Sequence, residues 1–525
     1  MSGRMMYVVS QWRAILICCC VCLGAFQFGY ETSYFSGQAL QFLVPKHPTS
    51  QTDVLPGVLA MEAFLKAFGD YRTSNGTWYM SSSTQSLITS IINVGELGGA
   101  ITAYYVGDKL GRKGGLYVSS AAVIIGTILQ TTSTGIGELI AGRIAVGYAV
   151  GLISCFVPLY IADCSPARLR GPLVSLYQFS IGVGLIIGIS VANSTKNQNS
   201  TASYRIPMAL QALFPLLLLP TLFLYAPESP RWLLEKKKSE EAQRSLRKII
   251  GPKECEIQHE KATIEQSIQA QELGGKSSWK SIFSSSVERR KAYIGIVLQG
   301  LQQGSGINFI NSYGVLFFFD IGISNSFLIQ IGLYVIGMPG TWLMQVLVER
   351  VGRRILLIIT GSIIASALII MASCGLVEGN PAWADRLIVS MVYIYMFVFN
   401  VGWGPTVWVI TSEISTGKNR GKLMSLSTAS SWFSSWLVTF TFPYLFNADE
   451  GANLSSKVGY IYGGVMIASC VWVFFCLPET SGRSLEEINA LFELKVPARR
   501  FKAYNLAPLT AETNTDKVLA TTKGV

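Results

Sequence analysis

Charge is scarce in this sequence, and histidine is scarcer. Asp, Glu, Lys and Arg make up 14% of 525 residues against 50% hydrophobic, too little polar surface to cover a water-soluble globule of this size. The two histidines, His47 and His259, fall in polar connections, which argues against a histidine-built metal site or a histidine proton relay. Ten cysteines show no framework spacing: Cys18, Cys19, Cys20 and Cys22 crowd one apolar run and the rest are scattered, so they read as packing residues. There is no nucleophile elbow, phosphate loop or metal-ligand cluster. An enzyme is not expected, and neither is a cofactor or a metal. A cleavable leader is not expected either, because the first apolar run continues to about residue 36 and reads as a retained helix.

What the chain has in abundance is apolar runs long enough to cross roughly 30 Å of hydrocarbon. Twelve spans are expected, at about 14–36, 81–106, 115–133, 137–161, 172–192, 206–226, 291–320, 325–348, 355–377, 384–411, 421–445 and 459–477. The net charge of +11 might suggest nucleic acid, but Arg112, Lys113, Arg168, Arg170, Lys236 to Lys238, Arg353, Arg354, Lys418, Arg420 and Lys422 all lie in alternate connections. The positive-inside rule puts those connections, and both termini, in the cytosol. The partner implied is a lipid bilayer and no nucleic acid; oligomeric state is not legible. Four Asn-X-Ser/Thr acceptors, Asn75, Asn193, Asn199 and Asn453, fall in connections assigned to the outside and are candidate glycosylation sites.

The scarce charges repeat. Gly111 and Gly352, inside two arginine-rich clusters, are 241 residues apart; Asp163 and Glu413, and Arg170 and Arg420, are 250 apart; Pro227-Glu228 and Pro478-Glu479 are 251 apart. Four landmarks returning in one order imply two parallel halves, with a substrate site expected at their interface. The expected organisation is a cytosolic N-terminus at 1–13, a six-helix bundle at 14–226, a cytosolic helical linker at 227–290, a second six-helix bundle at 291–477 and a cytosolic tail at 478–525. In the linker Ser239 is expected to cap a helix that stops at Gly251-Pro252, followed by a second helix at 253–272. The tail carries one helical stretch near Leu485 to Leu494.

Three ionisable residues lie away from span ends, where each costs about 2.5 to 3.5 kcal/mol on insertion scales. Glu31 lies about five residues from the outer end of the first span and Arg143 about six from the outer start of the fourth, so at about 1.5 Å per residue they share a depth and should pair. Glu96, beside Gly95, Gly98 and Gly99 in the second span, reads as an interhelical hydrogen bond, with a second proton site as the alternative.

Gly107-Asp108-x-x-Gly111-Arg112-Lys113, Pro227-Glu228-Ser229-Pro230-Arg231, Gln302-Gln303-x-Ser305-Gly306-Ile307-Asn308 and Pro478-Glu479-Thr480-x-Gly482-Arg483 together resemble the sugar porter family of the major facilitator superfamily, leaning toward fungal-type monosaccharide carriers. The resemblance covers about residues 14–495. It implies an all-α membrane protein of twelve helices in two pseudo-symmetric six-helix bundles, working by alternating access on a small-molecule sugar. It further implies an inner gate made of Asp108, Arg112, Asp163, Arg170, Glu228 and Arg231 in the first half and Glu349, Arg353, Glu413, Arg420 and Glu479 in the second. Asp163 stands where the family usually has Glu, which would loosen that gate.

Proton-coupled relatives usually carry Asp where this chain has Phe28-Gly29-Tyr30-Glu31, and facilitators often carry a neutral residue. Glu31 with Arg143 is therefore the expected proton-coupling pair, because a carboxylate that trades an arginine for a proton is the minimum part required. Passive exchange, and an ion pair that is structural only, are the alternatives. Side-chain amides suit sugar hydroxyls because they both donate and accept without net charge. Gln178, Gln302, Gln303 and Asn308 match the family's sugar-contacting amides, Trp408 and Trp432 its aromatic faces, and Asn400 stands where some relatives have Glu. Gly304 and Gly306 should interrupt the seventh span. Ser431 and Gly337 replace Asn found in many hexose carriers, which suggests a wider pocket open to a pentose, a polyol or a disaccharide.

Overall fold

The structure, a computed structural model, describes residues 12–36, 62–69, 71–72, 78–165, 170–195, 198, 200–273, 278–320, 326–377, 382–446, 452, 454–483 and 485–504. Asn75, Asn199, Asn453 and His47 lie outside these, as does the side chain of Arg170.

Nine helical stretches among the described residues are long and apolar enough to cross a membrane. One of them, Ser83–Thr132, holds two spans, and the seventh and eleventh spans fall outside the nine. The reason is chemical. The seventh is broken between Ser286–Gln303 and Ile307–Asp320 beside its amides, and the eleventh, Arg420–Phe446, is rich in Ser and Thr. The twelve spans are completed by Trp12–Ser36, Ile136–Cys164, Arg170–Thr195, Ala202–Leu210 with Leu213–Leu224, Ser326–Arg350, Arg353–Cys374, Ala382–Val401 with Trp403–Ile414, and Val458–Cys476. The fold is an all-α membrane protein of two six-helix bundles; the described strands are the two-residue pair Tyr71–Arg72 and Trp78–Tyr79.

Backbone chemistry sets the breaks. Gly111, at φ +81°, separates the second span from the third without a loop, and Gly352, at φ +94°, does the same for the eighth and ninth. Pro405 cannot donate to Val401, and the tenth span breaks at Gly402. Gly306, at φ +89°, turns the chain between the two parts of the seventh. Small residues set the closest approach: a Cβ on Gly99 would meet the backbone of Tyr148 and Gly151, so the second and fourth spans pack backbone to backbone there.

Four short helices link the halves, Pro230–Glu235, Ser239–Ile250, Glu254–Leu273 and Trp279–Ser284. Ser239 is the first helical residue and not the cap; that place falls to Lys238, which makes no side-chain cap bond. His259 lies on Glu254–Leu273, within the polar connection between the halves. Asn193 sits in the last turn of the fifth span, which runs three residues past its expected end because Ser194 and Thr195 bond back to the carbonyls of Ser190 and Val191. The polar tail is anchored: Ile488, Leu491 and Phe492 of Leu485–Glu493 are buried, and Arg290 donates to the Val496 carbonyl at 2.8 Å.

Candidate functional site

At the arginine end of the molecule each half builds the same knot. The N–H groups of Arg112 and Lys113 donate to Glu228 Oε1 at 3.0 and 3.1 Å, while those of Arg353 and Arg354 donate to Glu479 Oε1 and Oε2 at 2.9 and 3.0 Å. A carboxylate thus caps the start of the third span and of the ninth, where free N–H groups and the helix dipole favour negative charge. Ser229 then donates to Asp163 at 2.7 Å and Thr480 to Glu413 at 2.6 Å. Arg112 Nε stands 3.3 Å from Asp163, and Arg353 Nη2 3.0 Å from Glu413. Residues that repeat in sequence therefore repeat in geometry.

The copies differ in strength. Arg353 also donates to Glu349 at 2.9 Å and to the Val348 carbonyl at 3.1 Å, whereas Arg112 adds only Glu235, 4.0 Å away. Arg231 pairs with Glu235 at 3.5 Å, and Asp108 with Lys236 at 2.8 Å on the exposed surface. Neither Glu235 nor Lys236, the latter expected only as a cytosolic charge, is among the expected gate residues, because neither belongs to a repeated motif. Burial pushes the Glu228 carboxyl above its ordinary range, while the amides of Ser229, Lys113 and Arg112 and the Arg112 charge oppose the shift. Arg420 heads the eleventh span.

Between the halves lies a cavity whose walls surround about 1140 Å³ of space free of protein atoms, open solvent included. Glu31, Arg143, Gln178, Gln302, Gln303, Asn308, Asn400, Trp408 and Trp432 all line it, so one surface collects every residue expected to handle sugar or proton. The amides are partly committed. Gln302 Nε2 donates to the carbonyls of Trp403 and Gly404 at 2.8 and 2.7 Å, tying the broken seventh span to the broken tenth. Gln303 Nε2 donates to Ser431 at 2.8 Å, and Asn308 Nδ2 to Gln303 Oε1 at 2.8 Å. Asn400 Nδ2 donates to the Met396 carbonyl at 2.9 Å. A Cβ on Gly337 would lie 2.8 Å from Asn400 Nδ2, so the space beside the missing side chain is taken by that amide and the pocket is not widened there. Trp432 is buried, its Nε1–H donating to Ser154 at 3.3 Å and its ring edge-on to Phe28 at 5.5 Å.

Glu31 Oε1 and Arg143 Nη1 stand 3.8 Å apart, both side chains 2% exposed or less, and the guanidinium lies 3.4 Å over the Phe35 ring. The pair is electrostatic without a hydrogen bond between them. The interhelical hydrogen bond expected of Glu96 is missing at Oε2, which has no partner. Asn93, one turn before Glu96, lines the cavity and accepts from Ser435 across the halves at 3.2 Å. It is an amide inside an apolar span, and the rule that picks out the glutamines would have found it. Among the described residues no group of His, Cys, Asp or Glu is placed to hold a metal, and all ten cysteines are unbonded.

A family model described as sugar (and other) transporter matches residues 17–492. The major facilitator-type transporter ecdD of Aspergillus rugulosus is 36% identical, the match covering 92% of this chain and 87% of that one. The galactose transporter of Saccharomyces cerevisiae is 33% identical over 91% of this chain and 81% of its own, and the high glucose sensor RGT2 of the same yeast 31% over 92% and 61%. Among solved structures, the proton:xylose symporter XylE superposes with a TM-score of 0.74 at 26% identity, covering 91% of this chain and 99% of that one.

Proposed function

The chain belongs to the sugar transporter family, a family of carriers and not of enzymes, and from that premise we propose that it imports a monosaccharide, a hexose first, together with a proton by alternating access. The observation that carries the coupling is the Glu31–Arg143 pair: two opposite charges in the cavity wall, 3.8 Å apart and without a hydrogen bond, each able to be released by the other. When Glu31 takes a proton the pair loses its attraction and the cavity can change sides. With one proton per sugar, 100 mV supplies about 2.3 kcal/mol, enough for roughly fifty-fold accumulation.

Gln178, Gln303, Asn308 and Asn400 offer amide groups to hydroxyls, Gln302 fixes the two broken spans that shape the cavity, and Trp408 and Trp432 face the C–H side of the ring. The arginine knots form the inner gate, with bundles 14–226 and 291–477 rocking about the 227–290 linker and tail 478–525. Plasma-membrane residence, cytosolic termini and outward-facing Asn75, Asn193, Asn199 and Asn453 complete the proposal. The likeness to RGT2 favours a second reading, a sugar receptor without flux. Uptake of labelled hexoses, pentoses, polyols and disaccharides by reconstituted protein, with and without an inward proton gradient, tests all three. Coupled import predicts accumulation above equilibrium only with the gradient, a passive carrier equilibrates, and a receptor moves nothing.

A further inference from the structure

Glu96 is left over by the sugar amides and by the arginine knots. It is 4% exposed, lines the same cavity as Glu31 and Arg143, and leaves Oε2 without a hydrogen-bond partner. Both Glu31 oxygens and the Arg143 Nε and Nη1 are in the same condition. Among the described residues lining the cavity these three are the only charged ones, and Arg143 lies in the field of both carboxylates. Tyr177 of the fifth span also faces Glu96; the eleventh span presents Trp432, Ser435 and Thr439, none of which titrates.

One guanidinium can neutralise one carboxylate. A second ionised carboxylate buried in the same cavity wall costs several kcal/mol, so two buried carboxylates lining it with one arginine share a proton. They also stand at different depths. Glu96 is fourteen residues from the start of its helix at Ser82, about 21 Å along the axis, while Glu31 is five from the end of its own at Ser36, about 7.5 Å. Glu96 is thus nearer the arginine end.

We propose that Glu31 and Glu96 are the outer and inner stations of a two-carboxylate proton relay that shares Arg143. In one state Glu31 is ionised against Arg143 and Glu96 holds the proton. When a proton arriving from the outer side forms an O–H bond on Glu31, the guanidinium turns to Glu96, whose O–H bond breaks and whose proton leaves toward the arginine end. Passage of the proton from Glu31 to Glu96 then restores the first state, so one proton enters and one leaves per cycle and each completed hand-over leaves the cavity neutral. The Phe35 ring, 3.4 Å under the guanidinium, holds Arg143 on the Glu31 side until the hand-over. The relay rests on the coupled-import reading and adds a residue to it.

The test uses the full chain in liposomes with labelled D-glucose and D-galactose, comparing wild type, Glu96→Gln and Glu96→Asp. Under an inward gradient of one pH unit, wild type should accumulate sugar up to about tenfold. Glu96→Gln should fall to equilibrium while still exchanging sugar in counterflow at equal pH, and Glu96→Asp should recover part of the accumulation. Accumulation by Glu96→Gln equal to wild type overturns the relay and leaves coupling by Glu31 standing. A wild type that exchanges sugar but never accumulates it overturns the coupled reading, and the relay with it. Counterflow lost in Glu96→Gln and not restored in Glu96→Asp makes Glu96 a structural or sugar-binding group and also overturns the relay.

Discussion

Arg353→Ala should open the arginine end of the molecule far more than Arg112→Ala. Arg353 is 5% exposed and ties three span ends through Val348, Glu349 and Glu413. Removing one partner of a buried pair costs about 3 to 5 kcal/mol. The lower end applies, because the Glu349 side chain is 64% exposed and its share is screened. About 3 kcal/mol corresponds to a shift of roughly 150-fold between closed and open populations. Arg112 has one ion pair at 3.3 Å to the shorter Asp163 and a second at 4.0 Å, so about 1 to 2 kcal/mol, roughly tenfold, is expected there. The reporter is Ser425→Cys, a buried position whose hydroxyl donates to the Ala100 carbonyl across the two halves. Labelling of that cysteine by a membrane-impermeant maleimide, applied from the arginine side, should speed up strongly with Arg353→Ala and weakly with Arg112→Ala. Equal labelling in both variants and the parent would refute the gate; the reverse order would refute the asymmetry.

Gly306→Ala forces a side chain into φ +89° with Tyr462 only 2.9 Å from the new Cβ, so a stability loss of about 1 to 3 kcal/mol is expected in a detergent melting assay. Gly337→Asn should lower sugar uptake by colliding with Asn400, and pairing it with Asn400→Gly should restore part of the loss. Ser431→Ala strips the shorter of two acceptors from Gln303 Nε2, leaving it only Gln302 Oε1 at 3.4 Å, at a cost of about 1 to 3 kcal/mol, and should weaken sugar binding measured by tryptophan quenching.

Scarcity made the repeat legible. With so few charges, the 241- and 251-residue offsets stood out, and each proved to join atoms in the same pattern, Glu228 capping the third span as Glu479 caps the ninth. Helical rise alone was enough to bring Glu31 and Arg143 to one level, since long straight spans turn sequence distance into depth. Other features depend on what meets across the helices. Gln302 reaches the carbonyls of Trp403 and Gly404 in the first turn after the break at Gly402, and no local pattern tells a packing amide from one that faces sugar. Gly337 reads as added space in the sequence, but Asn400 lies beside it, and a missing side chain widens a pocket only if no neighbour fills the gap. Ser239 looked like a cap by residue type, yet the helix begins one residue earlier than that assignment requires.

Coupled import requires sugar entry and proton entry to be one event at Glu31. Proteoliposomes loaded with a pH-sensitive dye, held at equal pH on both sides and given D-glucose or D-galactose, report it directly. Adding sugar should acidify the lumen with wild-type protein and leave it unchanged with Glu31→Gln. Sugar entry by wild type without any pH change, or acidification that survives in Glu31→Gln, would contradict it.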